Sequence, residues 1–289
     1  MNSLVNWFNN EFNINGCRIE EASLFPEIGI DYWHSTVLDK RNLPIAGGFA
    51  SDKMHARKIS FAEYLERKAF YTISSQPENV RKSWGLNIIP TACGFAAGFD
   101  QMNTILRALS EACERWVMSK WIDEGFFIEE IPKDQIRLDP VSTFFADQFV
   151  EVKYYRKIIT VFFHGKFINI EIAQTMGITK DGIFPGSSAQ INDGSIWQHS
   201  LLESYRHLLI VKNNTVGNDH FPANKVIYFS KNKDVAFAQI DKASKKTWPT
   251  PEVIFKKIES IHHEECFIAR VIIGGWTSWH EGPITRFLY

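Results

Sequence analysis

The sequence predicts an α/β protein, and three observations carry that expectation. Stretches of strand-like alternation are interleaved with long stretches of helical periodicity. A glycine-containing segment followed by a helix recurs three times. The apolar content, 45% with 14% aromatic, is large enough for a substantial core.

Alternation is strongest across Glu151–Met176 (EVKYYRKIITVFFHGKFINIEIAQTM), which reads as strands with His164-Gly165 as the turn. Ile227–Phe229 and Cys266–Ile273 are further expected strands. Helical periodicity marks Lys53–Tyr71, Met102–Ile122, Ser195–Ile210 and Pro251–Ser260. Pro251 suits the start of the last of these, because its missing N–H costs nothing at a first helical position. Strands alternating with helices make the α/β class the natural reading.

Composition bounds the function classes. The 289 residues carry a net charge of −1, so no basic footprint for nucleic acid is present. No apolar run reaches the roughly 18–20 residues of a membrane span. Asn and Glu interrupt the first twenty residues, so a secretory signal or presequence is not expected. The four cysteines, Cys17, Cys93, Cys113 and Cys266, form no CxxC pair, which points to reduced thiols in a cytoplasm. No linker, charge block or low-complexity tract divides the chain, and one domain over 1–289 is expected.

The repeat is the most informative feature. Its copies read GGFASDKMHARKISFAEYLERKAF from Gly47, CGFAAGFDQMNTILRALSEACERW from Cys93, and PGSSAQINDGSIWQHSLLESYRHL from Pro185. Gly94 precedes Glu111 by 17 positions, as Gly186 precedes Glu203, while Gly48 precedes Glu63 by 15. The first two helices carry E-x-x-E-R, as Glu63, Glu66, Arg67 and Glu111, Glu114, Arg115. The third carries E-x-x-R, as Glu203 and Arg206.

Residues three apart share a helix face, so each E-x-x-E places two like charges side by side. Two unit charges ~4 Å apart repel by roughly 4 kcal/mol at an effective dielectric near 20. Converging carboxylates must therefore be protonated, paired with bases or neutralised by a cation. Mg²⁺ suits such a set, since it takes hard oxygen ligands and shares them with phosphates and water. The plain alternative is a solvated helix face with ordinary surface pairs. Recurrence, and the apolar residues Ile105, Leu106, Leu109, Trp116 and Val117 around the second pair, weigh against it.

At these residues the sequence resembles the YcaO family, whose members carry three such segments and bind ATP through their helices. PTACGFAAGFDQMNTILRALSEACERW is the most specific match, and GCRIEEASLFPEIGIDYWHSTVLDK extends it upstream. The resemblance covers the N-terminal half well, the third helix moderately and the region after about Asn214 poorly. It implies a YcaO-like fold of three repeated strand/glycine-loop/helix units. It also implies an ATP- and Mg²⁺-dependent enzyme that phosphorylates a backbone amide oxygen, most often closing Cys, Ser or Thr of a ribosomally made peptide into an azoline. Thioamide and amidine products remain open. By the same resemblance Glu63, Glu66, Glu111 and Glu114 are Mg²⁺ ligands, and Arg115, Asn103, His199 and Glu203 bind the nucleotide. The partners implied are a precursor peptide and a leader-binding protein in a synthetase complex. No Walker A motif occurs, which excludes an ordinary P-loop.

The chain departs from the family pattern at several places. Asn103 stands where a glutamate is usual, Phe99 where asparagine is usual, and Ile59 where serine is frequent. His199 replaces an arginine, and the C-terminus, GPITRFLY, has one proline where catalytic members often carry a proline-rich tail. These departures keep a second reading open, a non-catalytic YcaO-like scaffold that binds a peptide or partner. A carboxylate-bridged transition-metal centre is disfavoured, because E-x-x-H is absent from all three helices.

Three further signals are set aside. His262-His263-Glu264-Glu265-Cys266 lacks zinc spacing, Cys113 sits in an apolar helix as a small hydrophobe, and Gly274–His280 reads as packing or a turn.

Overall fold

A computed structural model of the chain describes all residues except 1, 26–28, 192–195, 214–220, 243–246, 262–264, 279–281 and 288–289. It is a mixed α/β fold. The backbone condenses into two compact units, 1–108 with 256–271 and 109–255 with 272–289.

The first unit opens with helix α1 (Asn2–Asn15) and an antiparallel sheet of β1 (Arg18–Leu24), β2 (Tyr32–Leu38) and β3 (Pro44–Ala50). Helix α2 (Lys53–Ser74) follows, started by Asp52, whose side chain accepts the His55 N–H at 2.8 Å. Its apolar face, including Phe61, Tyr64, Leu65 and Ile73, is buried. Phe61 stacks on Phe8 of α1 at 3.9 Å between ring centroids, and Tyr64 meets Phe12 edge-on at 5.1 Å. Helix α3 (Glu78–Ser83), strand β4 (Phe95–Gly98) and the start of helix α4 (Gln101–Ile122) come next. Buried Arg270 pins the 84–91 loop by donating to the carbonyls of Trp84, Ile89 and Thr91, with its guanidinium over Phe95.

The second unit is built on the antiparallel sheet β5 (Glu129–Ile131), β6 (Glu151–Phe163), β7 (Lys166–Ile178) and β8 (Ile183–Gln190). Helix α5 (Pro140–Ala146) begins with proline after the cap Asp139, and α6 (Ile196–Asn213) packs on β7 and β8. Helices α7 (Phe221–Phe229) and α8 (Lys233–Ile240) complete the helical part. The predicted β6–β7 hairpin is present, and His164 and Gly165, at φ 49° and 78°, make the two-residue turn whose twist matches the strands. Strands β9 (Val253–Ile261) and β10 (Cys266–Ile273) join β4 in a third sheet of order β4-β10-β9.

The three predicted units are β3–α2, β4–α4 and β8–α6. Gly48 and Gly186 lie within strands rather than in loops, whereas Gly94 sits in the turn before β4 at φ 76°. A methyl group on Gly48 would stand 1.9 Å from Ala56 O and 2.6 Å from Ser60 N; one on Gly186 would stand 2.0 Å from Ser200 O and 2.5 Å from Ser204 N. Helix backbone rests on strand backbone at these points, and only glycine leaves the room. At Gly98 the contact is with the Thr104 side chain, 2.5 Å from the position of the missing methyl.

Two expected elements take the other form. Pro251–Ser260 is not a helix but the region of β9, where exposure alternates from Val253 to Lys257 and β10 lies alongside; hydrogen bonding in a sheet overrides a short helical pattern. Ile227–Phe229 is not a strand but the end of α7, with Ala223, Val226 and Phe229 buried at three-residue spacing. Three apolar residues alone cannot distinguish the two periods.

Candidate functional site

In the first unit, the N-terminal turns of α2 and α4 border an open cleft of about 280 Å³. His55, Lys58 and Ile59 line it from α2; Phe99, Asp100, Asn103 and Arg107 line it from the β4–α4 junction. Asp100 caps α4 by accepting the Asn103 N–H at 2.7 Å. Arg107 donates to Ala97 O at 2.9 Å, and among the described residues neither Lys58 nor Arg107 has an acidic partner within ion-pair distance. Phe99 is partly buried, with its ring edge-on to Phe8 at 5.9 Å.

The second unit holds a buried acid cluster. Glu114 of α4 is 8% exposed and lies beside Arg115 at 3.4 Å. Ser187 of β8 stands between two carboxylates, its Oγ 2.7 Å from Glu114 Oε1 and 3.1 Å from Glu203 Oε2 of α6. The Ser187 N–H donates to the same Glu203 oxygen at 2.5 Å. The single hydroxyl proton is shared between two carboxyl oxygens, the nearer of which belongs to Glu114. Burial pushes Glu114 up from the usual carboxylate range, and the charge of Glu203 adds to this. Burial would raise Glu203 too, but Arg115, His207 and the Ser187 N–H outweigh it and hold Glu203 below that range. The Ser187 hydroxyl donates over its shorter contact to Glu114 while its N–H serves Glu203, so one residue of β8 ties the two carboxyl groups together. His207 Nδ1 lies 2.6 Å from Pro185 O, so that nitrogen bears the hydrogen, and burial lowers the ring's pKa.

The predicted site residues thus fall into groups. Asn103 lines the first-unit cleft and is exposed. Glu63 and Glu66 are half-buried on α2; Glu63 accepts the Gly47 N–H at 2.7 Å and pairs with Arg67. Glu111 is half-buried on α4 in the second unit, which also brings Glu114, Arg115 and Glu203 together. His199 is exposed on α6, one turn before Glu203, and its charge helps lower that residue.

The spacing match between Glu63 and Glu203 is not a match in position. The strand glycine meets Ala56 and Ser60 in one unit, Ser200 and Ser204 in the other. Counting from those contacts, His207 occupies the place of Glu63, and Glu203 the place of Ile59. The hydrogen bonds agree: Glu63 and His207 each bind the strand residue before the glycine, whereas Glu203 binds the one after it. Sequence reasoning missed Ser187, His207, Lys58 and Arg107. The contact-based register could have found His207, but no spacing rule marks the others.

Taken unit by unit, these donors make no preformed Mg²⁺ cage. Among the described residues no group of three or more His, Cys, Asp and Glu side chains is placed to hold a metal ion. Glu63 is committed to Arg67 and Gly47, and Glu114 to Ser187 and Arg115. One or two carboxylates suffice for Mg²⁺ that arrives on phosphates, and the donor set fits that mode alone. Among the described residues no helix is long and apolar enough to cross a membrane.

No protein-family model matches the sequence, and no curated protein matches it. Solved structures do. The E. coli microcin synthetase McbBCD complex aligns with a TM-score of 0.61 at 11% identity, over 88% of this chain and 87% of that one. YcaO from Methanopyrus kandleri, bound with AMPPCP and Mg²⁺, aligns at 0.60 and 10% identity over 94% and 90%. A heterocyclase in complex with substrate and cofactor aligns at 0.55 and 10% identity over 92% of this chain and 51% of that one. In backbone architecture, with its three strand–helix units in place, this chain has a YcaO-like fold.

Proposed function

We propose that this chain is the nucleotide-using subunit of a peptide-modifying synthetase. ATP, accompanied by Mg²⁺, would activate a backbone amide of a ribosomally made precursor peptide. A Cys, Ser or Thr side chain loses its proton and bonds to the amide carbon, while the amide oxygen takes the γ-phosphoryl group and ADP leaves. Departure of phosphate, with loss of the amide N–H proton, gives the azoline.

The observation that carries this reading is the cluster at Ser187, which joins Glu114 of the second repeated helix to Glu203 of the third. Two acids that the repeat singles out share one hydroxyl, in a fold shared with M. kandleri YcaO, whose structure holds AMPPCP and Mg²⁺. Phosphoryl transfer asks of a protein mainly positioning and charge control, which residues so locked can supply. A leader-binding partner is part of the proposal, held over at least ~1,200 Å² if the complex is stable.

The test is co-expression with whichever short Cys/Ser-rich reading frame and candidate partner are found beside its gene, followed by mass spectrometry of the peptide. The expected result is stepwise loss of water that needs the partner and disappears in Glu111→Gln/Glu114→Gln. Unmodified peptide with the partner present would overturn it.

A non-catalytic, peptide-binding scaffold is the second reading. Glu63 paired with Arg67 and Phe99 packed against Phe8 favour it, since both give structural employment to positions a nucleotide site would use. The scaffold predicts no nucleotide binding at all.

A further inference from the structure

The outer half of the β6–β7 hairpin leaves one strand edge open. Its two-residue turn makes Phe163 and Lys166 a hydrogen-bonded pair, so the alternation of an antiparallel ladder bonds residues 157, 159, 161 and 163 to β7. Ile158, Thr160 and Phe162 therefore turn their N–H and C=O groups to the other side. β5 occupies that side only at residues 154–156. Phe127, which the same count sets opposite Ile158, accepts a hydrogen bond on its carbonyl from Trp248 Nε1 at 2.7 Å instead. Among the described residues no strand pairs with residues 157–163 on this edge. The side chains are as open as the backbone. Ile158, Phe162 and its neighbour Phe167 on β7 are 54%, 57% and 75% exposed, while Ile159, Val161 and Phe163 are buried. The two exposed rings lie 5.2 Å apart. Sheets ordinarily guard such an edge with lysine, proline or a bulge, and Ile158, Thr160 and Phe162 provide none of these.

We infer that this edge pairs with the same edge of a second copy of the chain, in a two-fold antiparallel ladder centred on Thr160. A two-fold contact requires a self-complementary surface, and the edge has one. Thr160 then faces the partner's Thr160, and Ile158 faces the partner's Phe162. Three outward pairs exchanging two bonds each give about six backbone hydrogen bonds. An aromatic ring against a β-branched side chain is also a favourable cross-strand pair. The register is fixed from both sides. A slip of one residue would oppose outward groups to inward ones, and a slip of two would lose a pair to β5 or to the turn. Charge agrees with it, since Lys157 falls opposite the partner's Phe163 and the two lysines stand roughly 20 Å apart. The exposed parts of Phe162 and Phe167 amount to roughly 250 Å² per copy. With Ile158 and the strand edges, the pair comes near the ~1,200 Å² at which specific complexes become stable. The product is a reversible dimer with a Kd on the order of micromolar. Neither nucleotide nor peptide chemistry enters this inference, which stands apart from the proposed function.

The test is sedimentation velocity of the intact chain from about 1 to 100 μM, with circular dichroism as the check on folding. Wild type should pass from monomer to dimer across that range. Thr160→Pro removes the central outward N–H without costing a bond of the β6–β7 ladder, and should weaken the dimer at least about tenfold. Phe162→Lys leaves the backbone intact and sets a charge against the partner's Ile158, and should weaken it by a similar factor. Thr160→Val is the control. Like the proline variant it loses the 2.7 Å bond from Thr160 Oγ1 to Asn169, but it keeps the edge and should dimerise like wild type. A wild type that stays monomeric throughout overturns the inference, even if an added precursor peptide binds the edge. Folded Thr160→Pro and Phe162→Lys variants that dimerise like wild type overturn it too, because the contact then lies elsewhere.

Discussion

Helix α2 lies on β3 and helix α6 lies on β8 through the same contact, yet the side chains around the two contacts have diverged. In both, a strand glycine admits the helix backbone and the second contact residue is serine, Ser60 or Ser204. Around the first contact Glu63 is ion-paired with Arg67, while beyond the second Glu203 is locked into a buried cluster with Glu114 and Ser187. Steric demand from a backbone contact is absolute, because nothing larger than hydrogen fits, and so the glycine survives as a readable repeat. The surrounding chemistry has no such constraint and moves by a helical turn.

The largest expected effect comes from filling that contact. Gly48→Ala and Gly186→Ala should each cost more than ~3 kcal/mol, read as a collapse of the urea midpoint, since backbone cannot retreat. Gly165→Ala is the control: its added methyl meets nothing within 4 Å, and only the positive φ opposes it, at about 1 kcal/mol. If all three variants unfold alike, the shared contact is not what holds the helices in place.

The buried cluster comes next. Ser187→Ala should cost ~1–3 kcal/mol, because it leaves a buried carboxyl without its bridge. Glu114→Gln should cost about 1–3 kcal/mol, because the buried group loses its charge beside Arg115 while keeping its shape at Ser187. Urea denaturation curves of both variants measure these losses, and a Glu114→Gln variant as stable as wild type would refute the pairing with Arg115.

A pH-dependent effect sharpens the contrast further. Burial lowers the pKa of Lys225 to about 8; Arg286 pushes the same way and Asp123 opposes. Below that value the lysine is charged in folded and unfolded chains alike, and the fold bears the cost of burying it. Between about 8 and the ordinary lysine value the unfolded chain binds more protons, so stability rises with pH. Lys225→Met should therefore raise Tm at pH 7, with a gain that shrinks as pH rises through this window. A gain independent of pH would refute the assignment. The smallest effect is expected at Arg67, half-exposed beside Glu63, where alanine should change stability by less than ~0.5 kcal/mol.

The long periodic segments were legible in the sequence. The β6–β7 hairpin, β10 and the bodies of α2, α4 and α6 follow directly from alternation or helical spacing, because each repeats its pattern over several turns or residue pairs. β9 and α7 were not legible, since a few apolar residues fit either period and the sheet partner or the neighbouring buried stripe decides. The repeat gave Glu114 and Glu203, but Ser187 and His207 act through strand-to-helix hydrogen bonds that no linear spacing encodes. Lys58 and Arg107 are ordinary helix charges until the fold sets them around one cleft. The segments 192–195, 262–264 and 279–281, which hold parts of the third repeat, of the His262–Cys266 run and of Gly274–His280, lie outside the described residues.

The central claim is that this fold still serves a nucleotide, and titration of Mg-AMPPCP into wild type and Glu114→Gln/Glu203→Gln tests it most directly. Saturable binding by wild type, weakened at least about tenfold in a double variant whose circular dichroism is unchanged, is the result predicted here. No binding by folded wild type, or equal binding by both proteins, would contradict it.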